Sequence, residues 1–234
     1  MKPVAILRHA PTEGPGHFAS FLDRHAIPWR VVAIDAGEAV PAGAGGYAGL
    51  AFLGGPMSVN DELPWIAPAL ALIGEARERG VPVIGHCLGG QLMAKAFGGA
   101  VSANPVREIG WGEVRVAGTP AARDWFGDID AFTSFHWHGE TFSIPAGASR
   151  IAGSRWCANQ AFVLGPHLGM QCHVEMTAEM VELWCRAGAR ELERHAGASV
   201  QSAAAIRAAL PERIAALHAV ADRLYTRWIA GLAR

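Results

Sequence analysis

Val83-Ile84-Gly85-His86-Cys87-Leu88-Gly89-Gly90-Gln91-Leu92-Met93-Ala94 is the stretch that settles the fold. A β-branched strand runs into Gly-His-Cys-Leu-Gly, and helix-forming residues begin at once. Strand, sharp turn and helix in that order make a nucleophile elbow, with cysteine in place of serine. So sharp a turn brings strand and helix backbones together, and side chains at Gly85 and Gly89 would clash there. It also sets Cys87 at a helix N-terminus, whose partial positive charge favours a thiolate. Outward from the elbow, apolar strand runs at 4–7, 29–34, 50–53 and 81–84 alternate with helical patterns at 16–26 and about 64–79. That alternation predicts an α/β fold: a doubly wound, mostly parallel sheet flanked by helices. Further along, shorter strands are expected at 114–116, 131–135, 161–164 and 170–173.

The whole chain has 234 residues, of which 51% are hydrophobic and 18% charged, so one large core is affordable. Twenty Lys and Arg against 21 Asp and Glu leave a net charge of −1, without the basic footprint of a nucleic-acid binder or a polybasic membrane-surface protein. No apolar run approaches the roughly 18 residues that would span a bilayer. The first residues, Met1-Lys2-Pro3-Val4, are too soon interrupted to read as a signal peptide. Cys87, Cys157, Cys172 and Cys185 form no Cys-x-x-Cys pair, which fits a reducing, cytoplasmic setting. Beyond Glu175 the pattern turns helical, at 177–195 and from 211 onward. Ile206, Leu210, Ile214, Leu217, Ala221, Leu224 and Trp228 recur at threes and fours and form one apolar stripe. It is expected to cover the sheet, a homodimer face being the alternative.

A nucleophilic thiol needs a base and a group to orient that base. Gly169-Met170-Gln171-Cys172-His173-Val174-Glu175 offers both, since residues i and i+2 of a strand face the same way. His173 and Glu175 are thus the candidate base and orienting carboxylate. Leu53-Gly54-Gly55-Pro56 ends another strand, and exposed amides in such a turn can form an oxyanion hole. The expected donors are Gly55 and Leu88, the latter following the nucleophile. Arg8-His9 is read as a polar strand end rather than a phosphatase motif. His136 and His138 are read as no metal site, for want of a third ligand. No phosphate-binding glycine loop for ATP or a dinucleotide is visible, so no cofactor is expected.

Gly85-His-Cys-Leu-Gly-Gly-Gln91 resembles the G-x-C-x-G-x-Q elbow of the class I, triad-type glutamine amidotransferases, and Gly169-x-Gln171-x-His173-x-Glu175 resembles their G-x-Q-x-H-P-E. Gly54-Gly55-Pro56 is similar to their oxyanion loop. The likeness covers roughly residues 3–180 and is greatest to stand-alone proteins similar to the amidotransferase domain of GMP synthase. Their Gly-Gly-Pro-Met-Ser, Glu-Ile-Gly-Trp, His-Gly-Asp/Glu and Asn-Gln-Ala-Phe segments have counterparts at 54–58, 108–111, 138–140 and 159–162. The resemblance implies an amidotransferase-like domain over 1–180, with a helical extension over 181–234 packed on it. It implies that Cys87 attacks a γ-carboxamide to give a γ-glutamyl thioester, with His173 and Glu175 completing the triad. Gln91 and a Trp137-His138-Gly139 loop would grip the glutamine part. The family's proline is Val174 here, a change expected to alter local stiffness only. Two enzymatic roles follow: a glutaminase passing ammonia to a separate synthetase, or a stand-alone hydrolase of γ-glutamyl amides or glutathione-like compounds. The third role is a catalytically silent binding protein on the same fold.

Overall fold

Residues 1–232 are described by a computed structural model. Its strands are β1 (Val4–Arg8), β2 (Trp29–Ala33), β3 (Gly49–Phe52), β4 (Val83–His86), β5 (Val101–Val116), β6 (Ala131–Phe142), β7 (Ser149–Ser154), β8 (Ala161–Leu164) and β9 (His167–Met170). Among the described residues they form one nine-stranded mixed sheet in the order β2-β1-β3-β4-β9-β8-β7-β5-β6. The half from β2 to β9 is parallel, and β9, β8, β7, β5 and β6 pair antiparallel in succession.

The parallel strands are apolar throughout because both their faces are covered. In β1, Val4 and Ile6 enter one core and Ala5 and Leu7 the other. The first core is closed by α1 (Gly16–Arg24), through Phe18, Phe21 and Leu22. The second is closed by α2 (Ile66–Glu78), through Ala69, Leu72 and Ile73, and by α3 (Leu88–Ala96), through Leu92 and Met93. The short α4 (Pro120–Phe126) adds Trp125 and Phe126 to the first core.

Four helices follow the sheet: α5 (Ala178–Ala187), α6 (Ala189–Arg194), α7 (Ala203–Arg207) and α8 (Leu210–Ile229). Every residue of the predicted stripe from Ile206 to Trp228 is buried in the first core. The stripe is therefore spent inside the chain and offers no face to a second copy. At α8's start, Ala209 takes the left-handed conformation with φ 50°, and Pro211 occupies the first turn, where its missing N–H costs nothing. No helix is long and apolar enough to cross a membrane among the described residues.

Three local expectations change. The segment expected as a helix over 177–195 breaks at Gly188, between α5 and α6. The strands expected at 114–116 and 131–135 are the ends of a much longer β5–β6 hairpin, its register interrupted between Ala103 and Glu108. The strand expected over 170–173 stops at Met170, so residues 171–175 leave the sheet.

Candidate active site

Cys87 caps α3 with φ 50° and ψ −108°, a backbone conformation that side-chain-bearing residues seldom adopt. Two bonds hold it there: its N–H donates to the Met170 carbonyl at 2.8 Å, and its carbonyl accepts from the Gln91 N–H at 3.0 Å. The glycines make the crossing feasible. A Cβ on Gly85 would run into the Gly89 backbone, and one on Gly89 into the Phe52 carbonyl of the neighbouring strand. A residue without a side chain is thus obligatory at Gly89, because two backbones pass there in direct contact.

His173 and Glu175 come to the elbow from beyond the end of β9. They do not share a strand face as the alternation argument required; His173 is held by one bridge, its N–H donating to the Phe135 carbonyl at 2.9 Å. The pairing nevertheless forms: His173 Nδ1 lies 2.6 Å from Glu175 Oε1, both side chains being buried. Burial alone would lower the basicity of His173. Glu175 and the adjacent Cys87 sulfur outweigh burial and raise its pKa well above the ordinary value. Burial likewise opposes the ionised Glu175, yet His86 and His173 bring its pKa down to about 2. The imidazole's Nε2 is buried with no hydrogen-bond partner among the described residues, and the Cys87 side chain is near enough to help raise the ring's pKa. Val174 between them is fully buried in the first core, away from the cluster. Cys172 is a core thiol whose pKa burial pushes up to about 12, far from reactive at neutral pH.

Gly55 borders the cavity in front of Cys87, and a Cβ on it would fall 2.8 Å from the Leu88 side chain. Leu88 opens α3, so its amide is one of the first-turn N–H groups that no helical carbonyl satisfies. The two residues expected to supply oxyanion donors are therefore neighbours. His9, the strand-end histidine, supports this loop from beneath: its Nδ1 bonds the Leu53 carbonyl at 3.0 Å and its ring stacks on Trp65. Burial lowers its pKa to about 4, keeping it neutral. Arg8 points elsewhere and pairs with Asp35 at 3.0 Å.

Cys87, Gly55, Gln91, Trp137, Gly139 and His173 share the lining of a cavity of about 530 Å³. Gln91 is buried and donates to Gln171 Oε1 at 3.1 Å, while Gln171 Nε2 lies 3.5 Å from the Cys87 sulfur. Trp137, His138 and Gly139 belong to β6 rather than to a loop, and the Trp137 carbonyl lies 3.9 Å from that sulfur. His138 reaches the cavity edge, but its ring nitrogens are engaged by Glu140 O at 2.9 Å and Glu108 Oε2 at 3.1 Å.

Glu108 is the third donor that the sequence did not connect with His136 and His138; ligand atoms from all three lie within 4.8 Å of one another. Its carboxylate already accepts from Ser154 at 2.8 Å and from Gln160 at 2.7 Å. Burial works against the charge, but the His138 bond and the nearby His136 keep the pKa below the usual carboxylate range. So occupied, Glu108 serves as a strut tying β5, β6 and the 154–160 turn beneath the cavity. Sequence reasoning also missed Glu13, Trp184, Gly188 and Glu191, which line the cavity's far side. They sit in a polar turn and on amphipathic helices, where no local pattern sets them apart.

A thiol on a strained elbow, a buried imidazole aimed at it and a carboxylate behind that imidazole define the class of Cys-His-Glu α/β proteins. The class I glutamine amidotransferase family model matches residues 24–204, and the chain belongs to that family. It is similar to YfeJ, a glutamine amidotransferase-like protein of Salmonella typhimurium, with 32% identity over 76% of this chain and 78% of that one. It matches the GMP synthase of Vibrio vulnificus at 36% identity over 55% of this chain, spanning only 24% of that protein. Among solved structures, a glutamine amidotransferase from Methylobacillus flagellatus superposes with TM-score 0.97 at 48% identity, covering 100% of this chain and 96% of that one. One from Thermotoga maritima gives 0.87 at 26% identity, covering 97% and 98%.

Proposed function

We propose that the protein hydrolyses the γ-amide of glutamine and of γ-glutamyl amides through a thioester on Cys87. The observation that carries this reading is the imidazole of His173, fixed at 2.6 Å by Glu175, with its other nitrogen unpartnered among the described residues and Cys87 close enough to raise its basicity. The sulfur attacks the γ-carbonyl carbon, forming the S–C bond while the carbonyl electrons move to oxygen. That oxyanion sits against the amides of Gly55 and Leu88. As it collapses, the C–N bond breaks and His173 Nε2–H protonates the departing amine. The now neutral imidazole takes a proton from water, whose hydroxide attacks the thioester. Glutamate leaves, and the sulfur departs as the thiolate of the starting pair. Gln91 and the Trp137–Gly139 edge hold the glutamyl half in this account.

A second reading, the stand-alone γ-glutamyl amide hydrolase, is favoured by one feature. The cavity continues past the thiol, between the Thr12–Glu13 turn and Trp184, Ala187 and Gly188, which leaves room for an amine larger than ammonia. The synthetase partner rests only on the relationship to GMP synthase, whose length this chain matches for about a quarter. Purified protein assayed on glutamine and a panel of γ-glutamyl amides tests both. Turnover of amides but not glutamine leaves only the hydrolase. No turnover, together with no labelling of Cys87 by an electrophilic glutamine analogue, contradicts the thioester and revives the silent binding protein.

A further inference from the structure

The wall beyond the thiol carries a carboxyl group with no role in the steps above. Glu13 lies in the turn after β1, its N–H donating to the Ala10 carbonyl at 3.0 Å, and it lines the cavity. A point one bond above the Gly54 Cα lies 2.6 Å from Glu13 Oε2 and 3.2 Å from His173 Cε1, so carboxyl and imidazole edge converge over the same glycine. The turn is fixed from the C-terminal helices: Trp184 Nε1 donates to the Thr12 carbonyl at 2.9 Å, and its ring packs edge-on against His173.

The other cavity charges are accounted for. Arg107 pairs with Glu191 at 2.6 Å, Glu191 also accepts from Trp137 Nε1 at 2.9 Å, and Glu140 accepts from Ser58 at 3.0 Å. Glu13 has no hydrogen-bond partner among the described residues; the charges it faces are His173 and Glu175. Burial, with Glu175 adding to it against His173, raises its pKa to about 7, so an arriving cation would complete its ionisation.

The amine that receives its proton from His173 must depart along the imidazole, and its substituent then passes Glu13. We propose that Glu13 reads this substituent by charge, so that the preferred substrates are γ-glutamyl amides of amines carrying a second, cationic group, and anionic leaving amines such as amino acids are disfavoured. This rests on the thioester reading above and names the substrate class it serves.

Three amides of nearly equal size test it: those of 1,3-diaminopropane (cationic), n-butylamine (neutral) and β-alanine (anionic). For the wild-type protein, kcat/KM should be about tenfold higher for the cationic than for the neutral amide, and lower again for the anionic one. Glu13→Gln should bring the cationic and neutral values within about twofold, and Glu13→Asp should restore part of the ratio. A wild-type ratio near one overturns the proposal without any variant, as does a ratio that survives Glu13→Gln. If Cys87 forms no adduct with an electrophilic glutamine analogue and no amide turns over, the thioester reading falls and takes this one with it. If Cys87 is labelled but the neutral amide is turned over as fast as the cationic, only the charge selection falls.

Discussion

The hydroxyl of Tyr225 and Nε2 of His86 share a hydrogen bond of 3.2 Å, and the same nitrogen stands 3.7 Å from Oε2 of Glu175. Through this pair α8 reaches the carboxylate that orients His173. The C-terminal helix is thus more than a cover: it supplies the rear wall of the site. Glu175 is fastened from the N-terminal side as well, its carbonyl accepting from the His17 N–H at 2.8 Å. Tyr225→Phe should cost about 1 kcal/mol of stability for the lost buried bond and lower kcat several-fold with KM little changed. Thermal melts and steady-state kinetics on glutamine or the butylamide check this. Unchanged kcat would reduce the contact to packing.

Glu175→Gln preserves the shape of the orienting group and removes its charge. His173 then loses the main source of its raised basicity and the fixed tautomer, so kcat should fall by about a hundredfold or more. Glu175→Ala should be less damaging than Cys87→Ala, because an orienting group is more dispensable than the atom that forms the bond. The pH–rate profile reads the difference, its acidic limb moving in the glutamine variant.

Gly89→Ala should be among the most destabilising single changes in the chain. The added methyl meets the Phe52 carbonyl, which belongs to a central strand and has no room to move. A loss of about 3 kcal/mol or more is expected. Urea denaturation measures it, and a midpoint within error of wild type would contradict the backbone crossing described.

Acid should unfold the protein early. Burial lowers the pKa of His9, His136 and His167 to about 4, so all three are neutral in the folded state at pH 5 to 6. Their contribution is complete above the ordinary value near 6.5 and is lost as pH falls through 4, because the unfolded chain binds the protons first. Glu13, whose pKa is raised to about 7, opposes them between about pH 4.5 and 7, so the net slope approaches about 3 kcal/mol per pH unit near pH 5. His173, with its raised pKa, has the opposite sign and acts only above that window. A denaturation midpoint that stays level from pH 7 to 5 would contradict this.

The elbow was legible because its code is local and steric: Gly85, Cys87 and Gly89 between a strand and a helix admit few other structures. The two strand-end motifs were legible as chemistry, but not as geometry. His173 and Glu175 meet after the strand has ended, and what holds them is the Phe135 bridge together with the His17 amide and the Tyr225–His86 pair, the last two reaching across more than half of the chain. The β5–β6 hairpin was read short because buried polar residues such as Glu108, Ser134, His136 and His138 stand where apolar ones would mark the strands. Glu13 gave no signal at all. An acid in a Thr-Glu-Gly-Pro turn looks solvated until the C-terminal helices close over it.

The most direct test is the rate of γ-amide hydrolysis by Cys87→Ala beside wild type, together with mass analysis of acid-quenched reactions. The account predicts a γ-glutamyl adduct on the Cys87 peptide of the wild-type protein, and neither adduct nor turnover in the variant. Turnover by Cys87→Ala at the wild-type rate would contradict it.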